Sequence, residues 1–391
     1  MVPFARLTDL VGVKPHPSAS DMSISKPLWV PSGARGVFGG QVIAQSLAAA
    51  ARTVSAPFGL HSMHCYFLLP AHANPDIHYK VERLRDGKSY SNRLVRAWQG
   101  DREVFVLLAS YAVPPTTLPE NFNSTSNSPQ GKIKISHTLR FANESEDKSQ
   151  SQNRPLPIPT SSVQPTYQNP FPENLKPWEE CFPEEDRWQR FFDEKCQEWK
   201  GARRRFLEEY IKERRESPVG ISRARINRSD ATQNEEPEDS PVHTRMSWLH
   251  ARLGPSENPD LETVKAMIAY MTDFQFIGTA SRSVGLHQSS TPRIGMLASL
   301  DHSIHFYPFP EGFDPSAPLL HVMKSQSVNI ASGRGVVQGR VYTKEGVLIA
   351  VTAQEGVVRA DLKGLEARGL VEGGAVGDDK DENKKKRQAK L

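Results

Sequence analysis

The chain has 391 residues, of which 37% are hydrophobic, and its formal net charge is +4 at neutral pH. This length accommodates two ordinary domains; the absence of an apolar run of roughly 18 residues excludes a transmembrane segment, and the first residues lack the apolar core of a secretory signal. Basic residues cluster in two short runs, which excludes a broad nucleic-acid surface, and three cysteines without paired or metal-ligand spacing indicate a reducing compartment and no structural zinc.

The first predicted unit spans residues 1–114 and is built around one helix. Two glycines, Gly39 and Gly40, precede a run of apolar and small residues at 41–51, which predicts a helix buried on several sides. Bare N–H groups at such a helix start can bind a carbonyl oxygen or a phosphate, although a glycine pair can also simply allow close packing. Strand-like segments follow at 60–68, 77–85, 89–99 and 103–113. We predict an α+β unit whose antiparallel sheet curls around the helix.

Residues 115–217 form a predicted insertion with no counterpart elsewhere in the chain. Residues 143–175 are rich in Ser, Gln, Asn and Pro, which predicts a disordered or extended linker. From residue 184 to 216, aromatic residues recur at three- and four-residue steps, which predicts an amphipathic helix. Its polar face mixes acidic and basic residues, so we interpret it as a helix laid across the folded body; a partner or membrane-surface helix is the alternative.

The second predicted unit, residues 218–361, repeats the first. The motif His61-Ser62-Met63-His64 returns as His302-Ser303-Ile304-His305, and Ser91-Asn92-Arg93 is matched by Ser332-Gly333-Arg334. The same 32 positions separate His61 from Arg93 and His302 from Arg334, and a shared spacing indicates a shared unit of fold. Two copies therefore predict a pseudo-dimer fused into one chain. The predicted helix of this copy lies at 261–274, and its strands lie at 219–228, 244–253, 297–306, 319–329, 335–342 and 347–358.

The helix at 261–274 carries one carboxylate in an unusual setting. At 100° per residue its large apolar side chains form one stripe that should face the sheet. Asp273 lies on the opposite side, beside Ala266, Ala269 and Tyr270, where a solvated face would carry Lys and Glu. Small residues around a lone carboxylate predict that the other copy packs against it; an ordinary charge at a helix end is an equal alternative.

Residues 362–391 are predicted to form a flexible tail because they are rich in Gly and charged residues. The tail closes with Ala389, Lys390 and Leu391, a close variant of the Ser-Lys-Leu peroxisomal signal. This tripeptide predicts recognition by the peroxisomal import receptor and location in the peroxisomal matrix; a chance tripeptide is the alternative.

Several motifs resemble the type II acyl-CoA thioesterases, and the resemblance covers both copies. The resemblance implies a double hotdog fold and hydrolysis of fatty acyl-CoA to a free fatty acid and CoA, within peroxisomal fatty-acid metabolism. It also implies a homo-oligomer and no cofactor, since CoA enters as part of the substrate. The motifs are Arg35-Gly36-Val37-Phe38-Gly39-Gly40-Gln41, Leu60-His61-Ser62-Met63-His64-Cys65-Tyr66-Phe67, Arg85-Asp86-Gly87-Lys88-Ser89-Tyr90, Leu300-Asp301-His302-Ser303 and Thr352-Ala353-Gln354-Glu355-Gly356.

The same resemblance implies a catalytic trio that activates water: Asp273, Ser299 and Gln354. Many members of the family have Thr where this chain has Ser299, which keeps the hydroxyl but loses the methyl that restricts its rotamer. A carboxylate can take a proton from water while the hydroxyl and the amide hold that water in line. The N–H groups at Gly39 and Gly40 are candidates for binding the substrate oxygen.

Four alternatives remain open in the sequence. His61, His64, His302 and His305 could be catalytic bases, but they recur in both copies while Asp273 and Gln354 do not, so we interpret them as structural sheet residues. A covalent Ser299 would need a base, and His302, three positions later, would point to the other face of an unbroken strand. The protein could also bind acyl-CoA without turnover, or hydrate enoyl-CoA, although the Asp-x-Asn-x-x-x-x-His pattern of the hydratases is absent.

Overall fold

The first repeat of the computed structural model closely matches the predicted elements. Helix α2 (Gly39–Ala51) packs against strands β3 (Gly59–Phe67), β4 (His78–Asp86), β5 (Tyr90–Gln99) and β6 (Arg102–Ala112), each within a residue or two of its expected position. Three short elements precede them that were too brief to give a periodic signal: α1 (Leu7–Val11), β1 (Val13–Pro15) and β2 (Met22–Ser25). The structure describes residues 6–114, 168–195, 201–226, 243–287 and 290–362. Most of the predicted linker, Cys196 and nearly all of the predicted tail with its peroxisomal tripeptide lie outside these ranges.

The second repeat departs from prediction at three places, and the first is β7 (Val219–Arg223), which ends at Arg223 and not at residue 228. The predicted helix ends two residues early, so that α5 covers Leu261–Thr272 and a further helix, α6, covers Phe276–Ser283. The predicted strand at 297–306 is interrupted at Leu300 into β9 (Ile294–Ser299) and β10 (Asp301–Phe306). The other strands are β8 (Thr244–Ala251), β11 (Leu319–Asn329), β12 (Arg334–Tyr342) and β13 (Leu348–Ala360).

The strands of both repeats form one continuous antiparallel sheet. Its order is β1-β2-β4-β5-β6-β3-β10-β13-β12-β11-β8-β7, and β9 pairs with β13 outside this path. Each repeat contributes five main strands, in the order β2-β4-β5-β6-β3 in the first and β8-β11-β12-β13-β10 in the second. Corresponding strands occupy corresponding places in the two orders, which confirms the duplication. The repeats join where β3 pairs with β10, with Met63 opposite Ile304. This arrangement, with one central helix in each half, is the double hotdog fold implied by the resemblance.

The two central helices pack against each other inside the curved sheet. An aromatic cluster seals their contact: the Phe38 ring stacks on Phe274 with centroids 4.4 Å apart and meets Tyr270 edge-on at 5.0 Å. Burial of such rings contributes more than their area alone, by about 0.5–1.5 kcal/mol for each pair. The N-terminal end of α2 is thereby fixed against the C-terminal end of α5.

The predicted single helix at 184–216 is wrong, because the described chain forms two helices. Helix α3 (Glu184–Lys195) and helix α4 (Ala202–Glu216) pack side by side, and Gly201 before α4 has a φ of +66°, which a continuing helix does not allow. Helix α4 reaches the first repeat, since Glu213 Oε2 accepts hydrogen bonds from Ser32 N and Oγ, both at 2.8 Å. It also reaches the second repeat through Arg252, whose Nη1 donates to the carbonyl oxygen of Ser217 at 2.9 Å.

The last residues of the predicted linker, 168–175, lie against the second repeat. Gln168 pairs with the β12–β13 turn, donating to Gly346 O at 2.8 Å and accepting from Leu348 N at 2.9 Å. Phe171 meets the Tyr342 ring edge-on at 5.5 Å. No helix in the described ranges is both long and apolar enough to cross a membrane.

Candidate active site

Asp273 lies where the ends of the two central helices meet. It is the C-terminal cap of α5, where the partial negative charge of its own helix disfavours a carboxylate. The opposite end of α2 compensates for this, because the Gly40 N–H donates to Asp273 Oδ2 at 2.7 Å. The positive end of one repeat's helix thus stabilises the buried carboxylate of the other. This contact confirms that the other copy packs against Asp273.

The glycine pair is required by this close approach. A Cβ at Gly39 would lie 2.9 Å from Asp273 Oδ2 and 2.9 Å from the Phe67 ring. A Cβ at Gly40 would lie 2.6 Å from the backbone oxygen of Tyr270 and 3.0 Å from Asp273 Cβ. The interpretation that the pair allows close packing therefore applies, and the Gly40 N–H, predicted to bind a substrate oxygen, instead binds the carboxylate of Asp273.

Gln354 is brought directly onto Asp273. It lies in β13 with 1% of its surface exposed, and its Nε2 donates to Asp273 Oδ1 at 2.8 Å. The two carboxylate oxygens of Asp273 are therefore held by donors from different repeats, one from α2 and one from β13. The fold thus brings into contact two residues that are 81 positions apart in the chain.

Ser299 lies on the same face of the sheet as Gln354. It is the last residue of β9 and pairs with Gly356, which is two residues after Gln354 and so faces the same way. Ser299 is half-buried, and within the described ranges no hydrogen bond joins its hydroxyl to Asp273 or Gln354. The fold therefore brings all three implied residues to one region, and two of them into direct contact.

His302 is the site residue that the sequence interpretation missed. Its side chain is fully buried, its Nδ1 lies 3.1 Å from Gln354 Nε2, and the same nitrogen lies 3.8 Å from Asp273 Oδ1. His302 therefore contacts two residues of the candidate site, which its interpretation as a structural sheet residue did not anticipate. His64 and His305, by contrast, lie exposed with their rings 5.4 Å apart, and His61 contacts the Ser110 hydroxyl at 2.8 Å.

The break at Leu300 overturns the expectation that Ser299 and His302 point to opposite faces of the sheet. Ser299 pairs with Gly356, but Ser303 pairs with Ala353, so the register shifts by one residue between β9 and β10. The shift places Ser299 and His302 on one face, whereas an unbroken strand would place them on opposite faces. Residue 300 is neither Gly nor Pro, so the local sequence gives no sign of the break.

A buried polar layer extends from His302 beneath helix α6. The Phe276 ring lies between two histidines, 5.4 Å from His302 and 5.1 Å from His321. Burial, with a smaller effect from nearby His302, lowers the pKa of His321 to about 3, so this ring is neutral at ordinary pH. On the other side, Cys65 pairs with His302 across β3 and β10; burial and the charge of Asp273 raise the pKa of its thiol.

Helices α3 and α4 brace the segment that follows Asp273. Gln275, whose φ of +63° turns the chain between α5 and α6, donates through Nε2 to Glu184 Oε1 at 2.8 Å. The guanidinium carbon of Arg214 lies 4.9 Å from the centroid of the Phe274 ring, a favourable cation–π distance. Within the described ranges no group of three or more His, Cys, Asp or Glu side chains could hold a metal ion. The site brings together a buried carboxylate, an amide and a hydroxyl.

Two models of known protein families match this chain, one over each repeat. A family model described as the acyl-CoA thioesterase N-terminal domain matches residues 26–112, and one described as the acyl-CoA thioesterase C-terminal domain matches residues 177–358. Together the two matches cover more than half of the chain. The second begins inside the predicted 115–217 insertion, in agreement with the contacts that residues 168–195 and 201–217 make with the second repeat.

Individual relatives span nearly the whole chain. Acyl-coenzyme A thioesterase 8 of Rattus norvegicus is 28% identical over 355 residues, which cover 90% of this chain and 89% of the relative. Acyl-CoA thioesterase 2 of Haemophilus influenzae is 27% identical over 335 residues, covering 84% and 89%. Peroxisomal acyl-coenzyme A thioester hydrolase 1 of Saccharomyces cerevisiae is 36% identical over 83 residues, 21% of this chain and 24% of the relative. The solved structure of acyl-CoA thioesterase II TesB2 from Mycobacterium marinum matches 91% of this chain and 98% of that chain, with a TM-score of 0.56 at 21% identity, which shows a shared fold.

Proposed function

This chain belongs to the acyl-CoA thioesterase family and is an acyl-CoA thioesterase, and we propose that it hydrolyses fatty acyl-CoA with a water molecule activated at Asp273. The observation that carries the proposal is the buried Asp273 carboxylate, held between the Gly40 N–H at 2.7 Å and Gln354 Nε2 at 2.8 Å. Two fixed donors orient the carboxylate and leave each of its oxygens able to accept a further hydrogen bond. A carboxylate oriented in this way can act as a general base.

The reaction needs no covalent intermediate with the enzyme. Asp273 takes a proton as the water oxygen bonds to the thioester carbonyl carbon, and the carbonyl π electrons move onto the carbonyl oxygen. The tetrahedral intermediate then collapses, the carbon–sulfur bond breaks, and the sulfur of CoA leaves with the electron pair and receives the proton from Asp273. The products are a free fatty acid and CoA, with Asp273 again ionised. General-base assistance of this kind contributes about 10²–10⁴ in rate.

Ser299 and the Gln354 amide oxygen are assigned to hold the attacking water. Gly39 is assigned to the substrate oxygen, because the Gly40 N–H is already engaged by Asp273. The N–H at the first position of a helix has no acceptor within the helix, so Gly39 can donate to a developing oxyanion. One well-placed donor of this kind contributes roughly 3 kcal/mol to transition-state stabilisation. Gly40 then positions the base, and Gly39 serves the substrate.

The test is CoA release from acyl-CoAs of several chain lengths, followed with a thiol reagent. The variants are Asp273→Asn, Gln354→Ala and Ser299→Ala, and Asp314→Asn is the matched control because that carboxylate lies in an exposed turn bonded to Ser316. We expect the Asp273 and Gln354 variants to lose about 10²-fold or more in kcat, as for loss of a general base or of its positioning. Full activity of Asp273→Asn would overturn the assignment, and tight acyl-CoA binding without turnover by the wild type would show a binding protein instead.

We further propose that the enzyme works in the peroxisomal matrix. Support comes from the Ala389-Lys390-Leu391 tripeptide and from the yeast relative, whose name describes it as peroxisomal. A fluorescent protein that ends in residues 377–391 should accumulate in peroxisomes. The same fusion without Leu391 should stay diffuse; identical distributions of the two would contradict the proposal.

We also propose that the chain forms a homo-oligomer. The outer face of the sheet at the junction of the repeats supports this, since Tyr66 is 57% exposed and Leu108 is 43% exposed. Sedimentation of the wild type and of Tyr66→Arg measures the assembly. A monomeric wild type at micromolar concentration would contradict it.

A further inference from the structure

The Gln354 amide has its orientation fixed by two neighbours. A carboxylate can only accept hydrogen bonds, so the atom of Gln354 that lies 2.8 Å from Asp273 Oδ1 must be the amide nitrogen. The same nitrogen lies 3.1 Å from His302 Nδ1. An amide nitrogen has two hydrogens, and these two contacts use both of them. The nitrogen has no hydrogen left for a substrate or a water molecule.

This geometry also fixes the proton on His302. With Gln354 Nε2 as the donor, Nδ1 is the acceptor and the ring proton lies on Nε2, a buried atom with no hydrogen-bond partner within the described ranges. The alternative with a proton on Nδ1 would need the amide reversed, which would set its oxygen against the Asp273 carboxylate at 2.8 Å. A direct bond from His302 to Asp273 is excluded by the 3.8 Å separation of their atoms. His302 is therefore an acceptor toward the amide.

The remaining atom of the amide is its oxygen. Gln354 Oε1 is buried, and within the described ranges it has no hydrogen-bond partner. With both hydrogens of the nitrogen engaged, this oxygen is what the amide presents to the reaction, and it can only accept.

We propose that His302 is a positioning residue: its unprotonated Nδ1 holds the Gln354 amide so that Oε1 faces the attacking water as a hydrogen-bond acceptor. The inference rests on the proposed function of Asp273. In it, the attacking water donates one hydrogen to Asp273 and the other to Gln354 Oε1, which orients a lone pair of the water oxygen toward the thioester carbon. His302 itself touches neither water nor substrate.

The groups packed around His302 are consistent with an uncharged, fixed ring. Phe276 from α6 covers it, Cys65 pairs with it from β3, and His321 lies beyond Phe276 on β11. Asp273 is the charged group of this set, and its nearest oxygen already accepts from Gln354. The ring is thus held by packing on its faces and by one hydrogen bond at Nδ1.

Three substitutions of His302 distinguish the need for an acceptor at the Nδ1 position from the need for packing alone. His302→Asn places an amide oxygen near the position of Nδ1, whereas His302→Gln places it near Nε2, and His302→Leu offers no acceptor. His305→Asn is the control, because His305 lies on the same strand but on the exposed face. We expect kcat of His302→Asn to stay within about 10-fold of wild type. His302→Gln and His302→Leu should lose about 10²-fold in kcat with KM unchanged, as for a reacting group displaced by about 1 Å.

A second measurement does not depend on turnover. Nitrogen-15 shifts of labelled histidine, assigned to His302 by loss of its signals in His302→Asn, report which ring nitrogen carries the proton. We expect the Nε2–H form at pH 7.5, and a change in the Nδ1 shift in Gln354→Leu. A protonated Nδ1, or equal loss of kcat in all three His302 variants, would overturn the inference. Full activity of Asp273→Asn would instead overturn the proposed function, while the tautomer measurement would still decide the His302–Gln354 contact.

Discussion

The contact between α2 and α5 makes Gly40→Ala a sharp perturbation of the site. The new Cβ would lie 2.6 Å from the backbone oxygen of Tyr270 and 2.6 Å from a ring carbon of Phe38. Ordinary contacts of a Cβ begin near 3.4 Å, so the helices must move apart by nearly an ångström. Neither neighbour is the far end of a flexible side chain, and local rotation cannot relieve the overlap.

The expected cost has two parts. Overpacking of a close-packed interface costs about 1–3 kcal/mol of folding free energy. The same displacement stretches the 2.7 Å hydrogen bond from Gly40 N–H to Asp273 and moves the base relative to Gln354. A misplacement of about 1 Å at a reacting group reduces kcat by about 10²-fold.

Gly278→Ala is the matched control, since Gly278 lies within α6 and a Cβ there would meet nothing within 4 Å. Replacing a helical glycine by alanine in open space should stabilise the protein by roughly 0.5–1 kcal/mol. Chemical unfolding and CoA release are measured on both variants. If Gly40→Ala were as stable and as active as Gly278→Ala, the close contact of the two helices would be refuted as the source of the geometry.

Three further predictions concern the groups around the site. Because burial lowers the pKa of His321 to about 3 while the unfolded chain binds a proton near pH 6.5, stability should fall as the pH drops through this window. Between pH 6 and pH 5, wild type should lose about 1 kcal/mol more than His321→Gln in chemical unfolding. Because burial raises the pKa of Cys65, iodoacetamide should label this thiol in the unfolded protein only, as read by peptide mass mapping. Arg252→Met should cost about 2 kcal/mol, because the guanidinium donates to three carbonyl oxygens at the end of α4, and should increase hydrogen exchange in α4.

Each of these has a contrary result. Equal pH slopes for wild type and His321→Gln would mean that the ring is charged or solvated in the folded protein. Rapid labelling of Cys65 under native conditions would mean that the inner face of β3 opens at the junction of the repeats. Unchanged exchange in α4 would mean that other contacts, such as Glu213 with Ser32, hold this helix in place.

Features carried by local pattern could be predicted from the sequence. The alternation of apolar residues located the strands of the first repeat, and the Gly39-Gly40 pair located the start of α2. The 32-residue spacing revealed the duplication before any contact was known. The small residues beside Asp273 indicated that the other copy would pack against it, with an ordinary helix-end charge as the alternative. The residue types that make Asp273 and Gln354 candidates came from the resemblance, not from spacing.

The helical insertion shows where local pattern fails. Aromatic periodicity continues from α3 into α4, so the sequence reads as one helix, yet Gly201 takes a left-handed conformation and the chain turns back. The turn allows the two helices to pack on each other and on β7. Burial of surface between segments distant in the chain decided this arrangement. The periodicity of the sequence does not encode such long-range contacts.

The sequence by itself determined the duplicated α+β architecture, because the periods of helix and strand and the repeat spacing are properties of neighbouring residues. Only the tertiary structure decided that His302 belongs to the site. The His302 ring faces Gln354 because the strand breaks at Leu300. The break is stabilised by a hydrogen bond across the sheet, in which Asp301 Oδ1 accepts from the Glu355 N–H at 2.7 Å. The hydrogen bond joins residues 54 positions apart, so the register shift exists only once β13 has paired beside β9 and β10.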